Sequence, residues 1–238
     1  MSSLSGRTAV VTGASRGIGA AIAAALAAEG VKVVMLARNE AKLKEASRSL
    51  KGSIPIACDL TKPDSVDKAA KRIATELKGA PDILVNNAGI FGVSTVEETA
   101  IEFFIETINT NLVAPFLLVR SFLGEMKQRK TGHVVTIGSV ADRTIYTGNA
   151  AYSAAKFGVR AIHEVLRAEL RGTGVRATLV SPAATDTEIW NTVTVTDPAG
   201  KPHSKRPMLD ADDVVRAVIF AVTQPDRVNI DELRLSHS

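Results

Sequence analysis

A single cysteine, Cys58, rules out any disulfide within the chain. It stands in the run Ile54-Pro55-Ile56-Ala57-Cys58, where a buried, inert thiol is expected. Aromatic residues make up only 4%, and none are interleaved with basic residues. The net charge of +4 comes from 29 Lys and Arg against 25 Asp and Glu, spread along the chain without a basic arm. That pattern argues against a nucleic-acid partner despite a pI of about 9.3. The four histidines show no metal-ligand spacing, so no metal is expected. No apolar stretch approaches the ~18 residues needed to span a bilayer. The short apolar run near the start is broken by Gly13 and does not read as a signal peptide. A cytoplasmic protein without a membrane partner is therefore expected. Neither an internal repeat nor an interdomain linker is visible, and 45% hydrophobic residues in 238 suit a single domain with a sizeable core.

What the chain has is alternation. Residues 8–11 form a β-branched run typical of a buried parallel strand. Thr12-Gly13-Ala14-Ser15-Arg16-Gly17-Ile18-Gly19 follows, then an Ala-rich helix stopped at Gly30. Strand, glycine loop and helix are the setting a dinucleotide site requires, because N–H groups at the helix start face a pyrophosphate and glycines let it come close. A tight turn is the plain alternative. A second strand spans residues 32–37 and ends in Ala37-Arg38-Asn39. No acid stands there to meet the 2′-hydroxyl of NAD, whereas Arg38 and Arg16 suit a 2′-phosphate. Either arginine taken singly also fits a solvated surface.

Asn39 is expected to cap a helix over 40–50, and Asp59 to follow a third strand, as an adenine contact or a helix cap. Residues 61–78 read as a helix begun by Pro63, and residues 83–85 as a strand closing in Asn86-Asn87-Ala88-Gly89. Thr95-Val96-Glu97-Glu98 has capping-box spacing. It is expected to open a long helix to about residue 129, kinked at Asn111 and Pro115. A strand over 133–137 delivers Ser139.

Tyr152 and Lys156 lie four apart on the next helix, hence on one face. An ammonium close to a phenol favours the phenolate, and a phenol tuned in this way can exchange a proton in a reaction. An exposed lysine beside a packed tyrosine gives the same spacing. A sixth strand over 175–180 leads into residues 183–207, which lack periodicity and carry three prolines, Trp190 and the basic residues Lys201, His203, Lys205 and Arg206. A loop of that length is expected to be a substrate lid. Asp210 then caps a helix to residue 223, and residues 233–235 complete a last strand.

Together, Thr12 to Gly19, Asp59, Asn86-Asn87-Ala88-Gly89, Asn111, Ser139, Tyr152-Ser153-Ala154-Ala155-Lys156 and the stretch from Pro182 to Thr187 resemble the short-chain dehydrogenases/reductases, in that family's order and over nearly the whole chain. The resemblance implies an α/β fold: one doubly wound, Rossmann-type parallel sheet of about seven strands with helices on both faces. It implies catalytic roles for Tyr152 as acid/base, Lys156 as the group lowering its pKa, Ser139 as orienter of the substrate oxygen, and Asn111 as holder of a relay water. The cofactor contacts it implies are Gly13, Ser15, Arg16, Gly17, Ile18, Gly19, Arg38, Asp59, Leu60, Asn87, Ala88, Gly89, Tyr152, Lys156, Pro182, Thr185 and Thr187. The expected cofactor is NADP(H), the partner a small carbonyl or alcohol, and the assembly a homotetramer or homodimer. One departure is Ala183, where the family usually has glycine after the proline. The tail resembles serine and 3-hydroxy acid dehydrogenases, the front half 3-oxoacyl-carrier-protein reductases. A dinucleotide-binding regulator without turnover is the alternative class.

Overall fold

The computed structural model describes residues 3–192 and 207–238. Seven strands form one sheet in the order β3-β2-β1-β4-β5-β6-β7, and every neighbouring pair is parallel. The strands are β1 (Thr8–Thr12), β2 (Lys32–Ala37), β3 (Ile54–Ala57), β4 (Ile83–Asn86), β5 (Gly132–Ile137), β6 (Val175–Pro182) and β7 (Glu232–Leu235). Helices α1 (Gly17–Ala28), α2 (Glu40–Arg48), α3 (Pro63–Leu77), α4 (Ile101–Ile108), α5 (Ala114–Gln128), α6 (Ala150–Glu169) and α7 (Ala211–Val222) connect and cover them. The near-continuous apolar runs of the inner strands follow from burial on both faces.

Alternation along a strand divides the core in two. Ala9 and Val11 of β1 point into a cluster with Ile22 and Leu26 of α1 and Val214 and Val218 of α7. Val10 points the other way, into a cluster with Val66 and Ile73 of α3 and Leu118 and Phe122 of α5. The chain moves outward from β1 through β2 to β3, then returns to start β4 on the other side of β1. The carboxyl ends of β1 and β4 therefore flank a switch point, where open α/β sheets bind ligands.

Local signals explain most helix ends. Asn39 Oδ1 accepts from the Lys42 N–H at 2.9 Å, as expected of a cap. Asp210 and Asp213 form a reciprocal capping box at α7. The Thr95 signal fails: its hydroxyl donates to the Glu98 carboxylate at 2.8 Å within an isolated turn, and α4 begins at Ile101. The expected kink is a π-helical turn, Asn109–Val113. Pro115 has no N–H to offer the carbonyl four residues back, and the register widens by one, with the Ala114 N–H reaching the Asn109 carbonyl.

One expectation is corrected. The continuous helical run Ile101–Gln128 holds an 18-residue window of mean hydropathy 1.2 and is long and apolar enough to cross a membrane by length and composition alone. Polar residues such as Glu106 and Arg120 punctuate it. In the fold, α5 packs on α3 and α4 packs on α6, so the run is part of the layer covering the sheet.

Candidate active site

A cleft opens at the switch point. β1 hands over at Thr12, whose hydroxyl accepts the N–H groups of Asn87 and Ala88, each at 2.9 Å. The Asn87 amide donates to the Thr12 carbonyl at 2.9 Å, so one of the paired amides laces β4 to β1. The side-chain amide of Asn86 is buried without a hydrogen-bond partner among the described residues. Gly13 adopts φ +68°, and a Cβ there would sit 2.9 Å from Ala88 Cα. Gly19 is buried beneath the loop, where a Cβ would lie 2.4 Å from the Gly13 carbonyl oxygen. The loop can therefore press against β4 only if both positions are glycine.

α1 starts without a side-chain cap at Arg16 and without an acid in its first turn. Its first N–H groups and the positive end of its dipole are left for an anion in the cleft. A glycine cradle at an uncapped helix start fits the pyrophosphate of a dinucleotide.

Beyond the cradle, Ala37, Cys58, Leu60 and Thr61 wall one end of the cleft. Cys58 is buried as expected, and burial pushes its thiol up. Asp59 accepts from the Thr61 hydroxyl at 2.7 Å and the Thr61 N–H at 3.1 Å. Partial burial opposes its ionisation, but those bonds, with Lys62 and Arg38 nearby, hold the carboxyl below its usual range. Arg38 Nη1 donates to Glu106 Oε1 at 3.2 Å, and Glu106 also lines the cleft. Arg16 is exposed and makes no ion pair with any described residue.

At the other end α6 presents Tyr152 and Lys156. Lys156 Nζ donates to the Ile137 carbonyl at 2.8 Å and stands 5.5 Å from the Tyr152 ring centroid. Burial depresses Lys156 to about 8, with the Asp142 carboxylate opposing. Burial pushes the Tyr152 phenol up to about 12, a hydrogen bond with Ser139 pulls it down, and Asp142 adds to the rise. The phenol-lowering action expected of Lys156 is not among the causes of that rise, and the ammonium's hydrogen bond goes to the backbone. Ser139, two residues past the end of β5, accepts from the Ala141 N–H at 3.1 Å. Phe91 meets Tyr152 edge-on at 4.9 Å between centroids, and Trp190 stacks edge-on against Phe91 at 5.0 Å.

The profile of the short chain dehydrogenase family matches residues 7–197. An uncharacterized oxidoreductase of Staphylococcus aureus (strain MW2) is 35% identical over 235 residues, covering 98% of each chain. The chain belongs to the short-chain dehydrogenases. Among solved structures it is similar to a metagenomic short-chain oxidoreductase in complex with NADP (33% identity, TM-score 0.84, covering 100% of both chains). It is also similar to the closed form of a serine dehydrogenase complexed with NADP+ (31%, TM-score 0.87, 96% of this chain and 94% of that one). A 3-ketoacyl-(acyl-carrier-protein) reductase from Brucella melitensis complexed with NADH is similar too (25%, TM-score 0.85, 98% and 97%). As a member of this family the chain is an oxidoreductase acting on CH–OH groups with NAD(P).

In this short-chain dehydrogenase Gly13, Ser15, Arg16, Gly17, Ile18, Arg38, Asp59, Leu60, Asn87, Ala88, Gly89, Tyr152, Lys156 and Thr187 line the cleft. Gly19 supports the loop from below. Asn111 sits in the π turn, and its amide accepts from the Ile90 N–H and donates to the Ile90 carbonyl, both at 2.9 Å. That pairing braces Ile90, itself part of the wall. Pro182 is buried in β6, and the Thr185 hydroxyl donates to the Ala183 carbonyl at 3.1 Å. Neither belongs to the lining. The Ala183 N–H donates to the Leu235 carbonyl at 2.8 Å, which ties the departure from glycine to β7. Glu106, Thr110, Ile137, Gly138, Glu188 and Ile189 line the cleft without having been foreseen. Their only shared signal is position: each lies within a few residues of a motif. The basic residues Lys201, His203, Lys205 and Arg206, and most of the expected lid, fall outside the described residues.

Proposed function

We propose that this chain transfers a hydride between NADP(H) and the carbonyl or secondary-alcohol carbon of a small molecule, with Tyr152 as acid/base. One observation carries the reading: a single cleft joins a glycine cradle at an uncapped helix start to Tyr152 and Lys156, with Ser139 beside the phenol. The cofactor supplies or accepts the hydride. Tyr152 gives its proton to the substrate oxygen in reduction and takes it back in oxidation. Ser139 aligns that oxygen, and Asn111 supports the wall it faces and the proton relay. A phenol near 12 stays protonated at neutral pH, so the resting form of Tyr152 is the one that carries the proton.

NADP(H) preference rests on Arg16 and Arg38 and on the absence of an acid at the tip of β2. Glu106 works against it, because it competes with a 2′-phosphate for Arg38. A second copy of the chain is the fitting cover for Ile101, Ile105, Phe116, Phe157 and Val165, all exposed on α4, α5 and α6, and gives a homodimer or homotetramer. The reaction is placed in a single cytoplasmic domain. The test is a panel of ketones, 3-oxo esters and 3-hydroxy acids, the last two chosen for the likeness to a ketoacyl reductase and a serine dehydrogenase. Loss of NADPH or formation of NADPH with at least one of them is the expected result; inertness toward all classes with both NADP(H) and NAD(H) overturns the reading.

A further inference from the structure

Asp142 is wholly buried, and the chemistry above makes no use of it. It closes the 3-10 turn Val140–Asp142 that follows Ser139, and its N–H donates to the Ser139 carbonyl at 2.9 Å. One carboxylate oxygen accepts from the Ser181 hydroxyl of β6 at 2.5 Å. The other accepts from Arg143 Nε at 2.8 Å. Arg143 in turn pairs with Glu232 at the start of β7. Gly138 lies between: a Cβ on it would stand 2.7 Å from the Ser181 hydroxyl and 3.0 Å from the Asp142 carboxylate. The carboxylate thus pins the turn carrying Ser139 to β6, and the carbonyl just before Gly138, that of Ile137, is the one holding Lys156.

A buried carboxylate is costly unless it is paired, and turn pinning alone needs no charge. The charged groups acting on it are Arg143 in its own turn, Glu232 through that arginine, and Lys156 from α6. We infer that Asp142 is a positioning residue of the catalytic centre: it fixes the Ser139 turn against β6 and sets an Arg143-paired carboxylate in the turn that packs on α6, the helix of Tyr152 and Lys156. This rests on the acid/base reading for its purpose, but not for its measurement. The direction of its effects on Lys156 and Tyr152 agrees with Coulomb's law, since a nearby anion favours a cation and disfavours a second anion.

The chain has two tyrosines, Tyr146 and Tyr152, so tyrosinate absorbance after a rapid alkaline pH jump reads the centre without any substrate. Subtracting the Tyr152→Phe signal isolates Tyr152, whose midpoint is expected near 12. Asp142→Asn keeps the shape and removes the charge, so the Tyr152 midpoint should fall by on the order of one pH unit. Arg143→Gln leaves the carboxylate less compensated, so the midpoint should rise. Shifts of opposite sign are what a charge predicts and what a purely structural role does not. A Tyr152 midpoint unmoved in Asp142→Asn, or moved the same way by both variants, overturns the inference. If Asp142→Asn does not fold, Arg143→Gln decides: an upward shift supports the inference and an unchanged midpoint overturns it. Because no turnover is measured, an error in the proposed reaction leaves this result intact, and an error here leaves the substrate panel intact.

Discussion

Lys156 gives its hydrogen bond to the carbonyl of Ile137, at 2.8 Å, and not to the phenol of Tyr152 one helical turn away. With the ammonium depressed to about 8 by burial, its charge is lost as pH rises through that value. Reduction of the best substrate should therefore fall on the alkaline side with a midpoint near 8. A rate that stays flat to well above that value would show that the Lys156 charge plays no part.

Tyr152→Phe removes a proton donor and little else, because the ring keeps its edge contact with Phe91. Turnover should drop at least about 100-fold, the usual loss for an acid/base group, with cofactor dissociation constants nearly unchanged. Retention of most of the activity would end the assignment.

The pair between Arg38 and Glu106 gives the cofactor reading a sign. Their side chains are 69% and 37% exposed, so the pair is worth at most about 1 kcal/mol. Glu106→Gln should tighten NADPH by less than about tenfold and leave NADH nearly unchanged. Arg38→Asp should weaken NADPH by on the order of 2 kcal/mol. Dissociation constants for both cofactors decide, and tighter NADH than NADPH in the unaltered protein would sink the preference.

Two glycines make opposite predictions. Gly19→Ala forces a methyl to within 2.4 Å of the Gly13 carbonyl oxygen, so both melting temperature and cofactor affinity should fall. Gly124 lies exposed in α5, and a Cβ there meets nothing within 4 Å. Gly124→Ala should stabilise the fold by about 0.5–1 kcal/mol through helix propensity. Melting curves showing the reverse order would contradict the geometry of the loop.

His133 is wholly buried on β5, with Nε2 2.8 Å from the Thr178 hydroxyl and Nδ1 without a partner among the described residues. Burial first, then the Arg176 and Arg7 charges, hold it well below 6.5. His163, whose Nε2 lies 3.0 Å from the Asp231 carbonyl, is lowered in the same direction, chiefly by burial. Both are neutral in the folded chain, while the unfolded chain takes up protons below about 6.5. Their contribution is fully present above that pH and is lost as pH falls towards the folded-state values, by up to about 1.4 kcal/mol per pH unit for each. Urea unfolding between about pH 7 and pH 5 should show this loss, and His133→Asn should flatten its slope. An unchanged slope in the variant would clear His133.

Much of this was legible because parallel strands buried on both faces announce themselves as apolar runs, and because caps such as Asn39 and Asp210 act over three residues. The glycine loop could be read for the same reason. What lay in the third dimension could not. Thr95 has the right spacing to Glu98, but whether a hydroxyl accepts or donates depends on the backbone it faces. Asn111 and Pro115 marked a break without specifying a π turn. Glu106 became a cleft residue only when α4 came within reach of Arg38, just past β2, and Asp142 came near Tyr152 and Lys156 only when its turn was packed against α6. The rise of the Tyr152 phenol was unreadable because spacing along a helix reports a neighbour's charge and says nothing of the water removed around it.

The place of β1 in the sheet bears on how the chain assembles. Its Thr8 hydrogen-bonds Asp82, 74 residues away, and its far edge is completed only when β4 arrives. During synthesis this strand can pair with β2 early but must wait, one side bare, until α2, β3 and α3 have been made. Such non-local closure slows folding and leaves an unpaired strand edge open to other chains in the meantime. The same position that puts the glycine cradle at the switch point thus leaves the first strand made half-paired until the fourth arrives.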